Sequence, residues 1–177
     1  MASFEFGTVG IPLASIHEGV NEFQLDVPLS EPIDGINWSC SKNIKLNVEV
    51  QTTGDDFLVR MTVEADVDLI CDRCAETFSR KINGKVQTLF TSGSTEGLNG
   101  EGGDLRSIDV SANTLDLSQE MIDGLQFGIP EKILCDSTCR GLCPHCGVNL
   151  NETSCQCQDD QTDPRWEALK NIRFDDS

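Results

Sequence analysis

The chain has 177 residues, enough for one domain with an appended module, and its 38% hydrophobic content leaves a modest core. Thirty acidic residues against 13 basic ones give a formal net charge of −17, which excludes the clustered Lys and Arg footprint of a general nucleic-acid binder. No apolar run approaches the ~20 residues needed to cross a bilayer, and the opening MASFEFGTVGIPL lacks a secretory signal and is not Arg-rich like a transit peptide.

Phe23, Leu25, Val27 and Leu29 alternate with mostly polar residues and predict a half-buried strand that ends near Pro32. Ile44, Leu46, Val48 and Val50 repeat that pattern, and TTGDD supplies a turn. A longer alternation runs from Phe57 through Val59, Met61, Val63, Ala65, Val67 and Leu69, and its phase arrives at Cys71. Beyond C-D-R-C, the residues Phe78, Ile82, Val86, Thr88 and Phe90 keep period two, so Cys71–Cys74 is expected to reverse an antiparallel hairpin. Arg73 either donates to the thiolates or is solvent-exposed, and exposure is the ordinary fate of a long basic side chain.

Residues 92–104 are polar and Gly-rich and read as a mobile loop, without the Gly-Lys-Ser/Thr that a phosphate cradle needs. A short strand is expected over Ser107–Val110. Asp116 with Gln119 resembles a capping pair for a helix near 116–127, whose Leu117, Met121, Ile122 and Leu125 share a core-facing stripe before Gly128 and Pro130. After the acidic QDDQTD, Asp163 and Pro164 open a terminal helix near 163–174, with Trp166, Leu169 and Ile172 on one face. That helix is expected to pack back onto the domain, with partner binding as its alternative.

Six of the nine cysteines fall between Cys135 and Cys157. The spacing is C-x3-C for Cys135 and Cys139, x3 again to Cys143, C-x2-C to Cys146, and C-x-C for Cys155 and Cys157, with Cys71 and Cys74 a further C-x2-C upstream. Such gaps let two sulfurs reach one ion about 2.3 Å away, so these eight thiols predict two tetrahedral structural zinc sites. Pro144 and Gly147 suit a tight knuckle that aims N–H groups at thiolates. Disulfides fit less well, because nine is odd and no secretory signal is present. Two such sites would each add a net −2, taking the formal charge from −17 to about −21. Cys40, isolated after Trp38, is expected to be a small buried filler, and His145 an exposed knuckle side chain.

The expected fold class is α+β: an antiparallel sheet of five or six strands, meander or open barrel-like, with a covering helix and a cysteine-rich, zinc-binding C-terminal module. Residues 1–130 would form the sheet domain and 131–177 the zinc module.

C-x-R-C after a long strand, then G-L-C-P-x-C-G-x-N-L-N, C-x-C and D-P-R-W-x-A-L together resemble the YceD family of large ribosomal RNA subunit accumulation proteins. The matching residues are Cys71, Arg73 and Cys74, Gly141 through Gly147, Asn149 to Asn151, Cys155 and Cys157, and Asp163 to Trp166 with Ala168 and Leu169. The resemblance implies a non-enzymatic role in bacterial-type ribosome biogenesis, in the bacterial cytoplasm or the chloroplast stroma. Its implied partners are large-subunit rRNA, or basic ribosomal or assembly proteins, directly or through another molecule. It also implies how the thiols divide, Cys71, Cys74, Cys135 and Cys139 joining sheet to tail, and Cys143, Cys146, Cys155 and Cys157 closing locally. The smaller loop entropy of a local site agrees with this division. A two-knuckle ribbon of Cys71, Cys74, Cys143 and Cys146, leaving Cys135, Cys139, Cys155 and Cys157 together, stays open on spacing alone.

Two other functions compete. An iron–sulfur or thiol redox protein would use Cys71 and Cys74, although that pair follows a strand and not a helix N-terminus. A metal-dependent rRNA nuclease would need more than His17 and His145, neither of which sits in a metal-helix motif.

Overall fold

Alternation of apolar and polar side chains sets which face of the sheet is buried. The computed structural model describes residues 9–28, 39–40, 43–92, 104–108, 111, 113–157 and 165. In chain order the elements are β1 (Gly10–Pro12), a single 3-10 turn (Leu13–Ser15), β2 (Val20–Val27), β3 (Ser39–Cys40), β4 (Ile44–Thr53), β5 (Asp56–Ile70), β6 (Thr77–Thr91), β7 (Asp104–Ser107), β8 (Thr114–Asp116) and α1 (Ser118–Gly128). The main sheet runs β2-β4-β5-β6-β7, with β3 beside the far end of β5.

The β5–β6 hairpin is the spine. All fifteen residues of β5 take part in the antiparallel register that starts at Phe57↔Phe90 and ends at Ile70↔Thr77, or at the β4 turn for Asp56. That is about 50 Å of ladder at ~3.3 Å per residue. Val59, Met61, Val63, Ala65, Val67 and Leu69 all point inward and are buried. Gly54, at φ +64°, makes the reversal from β4 into β5, where the strand twist demands a left-handed residue.

The helix lies against β5 and β6 with Met121 and Leu125 fully buried. Three glycines permit the approach. A Cβ on Gly84 of β6 would stand 1.6 Å from the Gly124 carbonyl oxygen, and one on Gly124 would stand 2.5 Å from Val63 Cγ2. Gly128 meets the Gly84 nitrogen in the same way, at 3.1 Å. Glycine inside a helix costs about 1 kcal/mol relative to alanine, a cost offset here by backbone-to-backbone contact. The expected capping pair is not made: Asp116 Oδ1 accepts from the Ser118 N–H at 2.9 Å, while Gln119 turns to Asp123 Oδ1 at 2.8 Å.

One feature corrects the antiparallel expectation. β7 pairs with β6 in parallel, Thr88↔Asp104 to Thr91↔Ser107, so the sheet is mixed. Parallel neighbours need a connection of about a dozen residues, and residues 92–103 supply that length. The short strand sits at Asp104–Ser107, earlier than expected, and Asp109 and Val110 lie outside the described residues. So do Leu29, Pro32, Trp38, residues 93–103 of the expected loop, and all of the expected terminal helix except Arg165.

Arg106 on β7 ties this edge strand to the helix. Its Nε lies 2.8 Å from Glu120 Oε1 and its Nη2 lies 3.3 Å from Asp123 Oδ2. Glu120 is 2% exposed, and its Oε1 makes no aligned hydrogen bond, so the nearby Arg106 charge is its compensation. Burial pushes the Glu120 carboxyl up, and Arg106 pulls it back. Arg106→Ala is expected to cost about 3 kcal/mol at neutral pH, since it strands a buried carboxylate. A folded-state pKa above the unfolded one weakens the fold as pH rises through that interval, so acidification should restore part of the loss. Urea denaturation of this variant at pH 5 and pH 7.5 checks both points.

Candidate metal centre

β5 delivers Cys71 in its buried phase, the chain turns through Asp72 and Arg73 to Cys74, and β6 begins at Thr77. The turn is pinned by Cys71 N–H to the Glu76 carbonyl and by Ala75 N–H to the Cys71 carbonyl, both 2.9 Å. Ala75 sits at φ 58°, a conformation that L side chains seldom adopt. Cys143–Cys146 repeats this frame. Cys143 N–H donates to the Val148 carbonyl at 2.8 Å, Gly147 N–H donates to the Cys143 carbonyl at 2.9 Å, and Gly147 has φ 72°. The two knuckles are therefore one motif built twice, which the sequence conceals because alanine stands at the first left-handed position and glycine at the second.

Ile133 docks on the first knuckle through a reciprocal pair. Asp72 N–H donates to the Ile133 carbonyl at 2.8 Å, and Asp72 Oδ2 accepts from Ile133 N–H at 2.7 Å. This carries Cys135 to the hairpin end. Asp136 Oδ1 then accepts from Thr138 N–H at 2.7 Å, and the Asp136 carbonyl accepts from Cys139 N–H at 3.1 Å, a tight turn that returns Cys139 to the same place. Further on, the Asn149 carbonyl accepts from Thr153 N–H at 3.1 Å and bends the chain back toward Cys155.

The sulfurs gather into two groups, Cys71, Cys74, Cys135, Cys139 and Cys143, Cys146, Cys155, Cys157, each with every Sγ within 4.8 Å of the others. Cys74 and Cys135 are 3.6 Å apart, Cys71 and Cys139 3.9 Å, and Cys143 and Cys155 3.5 Å. A tetrahedron with metal–sulfur bonds of about 2.3 Å has edges of about 3.8 Å, whereas a disulfide would bring sulfurs to about 2.05 Å. All nine cysteines are free thiols. The donor set therefore fits two tetrahedral ions, and the ribbon division is not the one the fold assembles.

Burial opposes ionisation of Cys71, but N–H groups of Cys135, Cys74 and Arg73 outweigh it and bring the thiol to about 6. N–H groups of Cys146 and His145 bring Cys143 to about 6 as well. Burial and the neighbouring sulfurs push Cys135 to about 12, and contact with Cys146 together with burial does the same to Cys157. Cys139 is held below its usual range, burial being outweighed by the Asn151 amide and the Gly141 N–H, while Cys74 lies above it. Each quartet thus keeps part of its charge as thiolate and needs a cation to shed the remaining protons. Loading the first quartet at pH 7 is expected to release protons, that of Cys135 among them because its thiol is pushed up to about 12. Affinity should fall steeply as pH drops below about 6, where Cys71 also protonates. A pH-indicator titration in weak buffer measures both.

The remaining candidates fall apart from these groups. Arg73 is exposed, yet its Nη1 donates to the Cys139 carbonyl at 2.7 Å, an attachment to backbone and not to sulfur. His145 is exposed, and Cys40 is half-buried on β3, its thiol pushed up to about 11 by burial and by Asp68. Sequence reasoning missed Asn151, whose Nδ2 lies 3.3 Å from Cys139 Sγ. The N-L-N run after a knuckle was visible, but nothing in it points to the other quartet.

The family model described as "Large ribosomal RNA subunit accumulation protein YceD" matches residues 59–173, a span that holds both quartets and all but the first three residues of the β5–β6 hairpin. The chain belongs to the YceD family. An uncharacterized protein of Mycobacterium tuberculosis is 30% identical over 128 residues, covering 71% of this chain and 60% of that protein. One from Mycobacterium leprae is 30% identical over 139 residues, covering 77% of this chain and 61% of its own length. The Arabidopsis thaliana protein named "Large ribosomal RNA subunit accumulation protein YCED homolog 1, chloroplastic" is 26% identical over 155 residues, covering 73% of this chain and 48% of that one. YceD relatives thus include bacterial and chloroplastic proteins, and the chain spans about half to three fifths of the length of these relatives. No solved structure is significantly similar to it.

Proposed function

We propose that this chain is a non-enzymatic, zinc-binding factor of bacterial-type ribosome biogenesis that supports 23S rRNA accumulation or processing. Membership of the YceD family over a span containing every quartet cysteine carries this reading. Four thiolates around one ion leave no open position for water or substrate, so such a centre organises the chain and does not hydrolyse. Zinc suits an all-sulfur tetrahedral site without redox chemistry.

The redox alternative has less support. Cys71 and Cys74 lie between two strands, away from the helix N-terminus that activates a C-x-x-C thiolate. The nuclease alternative lacks ligands: among the described residues, neither His17 nor His145 joins a metal-capable group. No helix among the described residues is long and apolar enough to cross a membrane.

With a net charge of −17, the partners that fit are basic ribosomal or assembly proteins, through which rRNA would be reached, or a local rRNA contact. The fitting compartments are the bacterial cytoplasm and the chloroplast stroma. Depleting the protein in its own cells should lower mature 23S rRNA against 16S and raise its precursors, with recovery on supplying the parent chain but not one lacking Cys71 and Cys74. Unchanged 23S levels after full depletion would overturn the proposal.

A further inference from the structure

Asn151 lies between Cys146 and Cys155, inside a loop whose two ends both belong to the second quartet, yet its side chain serves the first. Its Oδ1 accepts from the Arg140 N–H at 2.7 Å. A backbone N–H can only donate, so the oxygen must face Arg140, and the NH2 is left facing Cys139 Sγ at 3.3 Å. Asn149 Oδ1 braces the same residue, accepting from its Nδ2 at 2.9 Å and from its backbone N–H at 3.0 Å.

A second link runs beside it. Leu142 N–H, one residue before Cys143, donates to the Arg73 carbonyl of the first knuckle at 3.1 Å. Gly141 sits so close that a Cβ there would be 2.9 Å from the same oxygen, and its own carbonyl accepts from Leu150 N–H at 2.9 Å.

We infer that the two centres bind metal cooperatively, with Asn151 as the positioning residue that transmits occupancy of the second quartet to the first. The inference rests on the zinc reading above. A four-thiolate centre carries a net −2, and a neutral N–H donor on one sulfur relieves that charge. The donor is in place only when its loop is closed, and closing the loop is what an ion on Cys143, Cys146, Cys155 and Cys157 does. Outer partners of this kind are worth about 10–100-fold in metal affinity, and by linkage each centre tightens the other by the same factor.

The test uses the full chain, with zinc titrated against a competing chelator and cadmium NMR as the second readout. First-quartet affinity should fall about 10-fold or more when the second quartet is disabled by Cys146→Ser with Cys157→Ser, and also in Asn151→Ala, which keeps all eight thiols. Asn151→Asp should be weaker still, because it sets a carboxylate against the thiolate. In Asn151→Ala the first-quartet cadmium resonance should shift while the second stays, a change that a merely structural role would not produce. A parent chain that binds two zinc ions, with a first-quartet affinity indifferent to these substitutions, would refute the coupling and leave the zinc reading intact. A parent chain that takes up no zinc would refute both.

Discussion

Chelating the metal from the loaded chain is expected to unfold residues 133–157 while the β5–β6 hairpin and α1 persist. The reason lies in what each region buries. Among the described residues, the sheet and helix share a core of nineteen buried ones, from Val9 to Leu125, that includes no quartet cysteine. Among the described residues the C-terminal segment has no such core: around the first quartet the buried cluster is Cys71, Cys74 and Cys139, with Phe78 and Leu134 packed beside it. Structural zinc contributes about 10–16 kcal/mol, comparable to the whole stability of an ordinary domain at about 5–15 kcal/mol. Without the ion, four sulfurs at close range with partial charge repel each other and little apolar area opposes them. Amide hydrogen exchange should therefore accelerate by orders of magnitude at Cys139, Cys143, Gly147 and Leu150, whereas amides of Val63 and Val86 stay protected. Equal protection of the tail with and without chelator would contradict this.

Gly84→Ala is expected to produce the largest loss of any single-methyl change in the sheet, about 3 kcal/mol or more. The new Cβ would meet the Gly124 carbonyl oxygen at 1.6 Å and its carbon at 2.6 Å. These are helix backbone atoms, so relief requires α1 to lift and the burial of Met121 and Leu125 to loosen. Gly124→Ala is the informative comparison. Its Cβ meets the buried Val63 side chain, Cγ2 at 2.5 Å and Cβ at 3.2 Å, and not backbone, and alanine returns about 1 kcal/mol of helix propensity. Urea midpoints of the two variants should differ clearly, with Gly84→Ala the less stable. A Gly84→Ala chain within about 1 kcal/mol of the parent would show that the helix does not rest on β6 as described.

Much of the sheet was legible because strands longer than about eight residues carry a readable period. The alternation through Leu69 to Cys71 foretold both the hairpin and its thiol, and the cysteine gaps foretold how many sulfurs would meet. β1 and β8, three residues each, are too short to show any period, and their place is set by Ile11 and Leu115 entering the common core. The direction of β7 depends on where the chain re-enters the sheet, which no local pattern records. Glu120 reads as one more surface charge until Arg106 arrives from a strand 14 residues earlier. Gly84 did carry a signal, since a glycine inside a strand marks a close backbone approach. How the thiols divide was the hardest point, because spacing permits two arrangements and the choice is made by Asp72 and Ile133, which seat Cys135 on the hairpin.

That division is also the most direct thing to measure. Zinc content of the parent chain at saturation should be two ions per molecule, matching the two quartets. Replacing Cys74 and Cys135 together by serine should remove one ion and leave one, because both belong to the first quartet. Loss of both ions from that double variant would place the two cysteines in different sites and contradict the account, as would a parent chain that binds none.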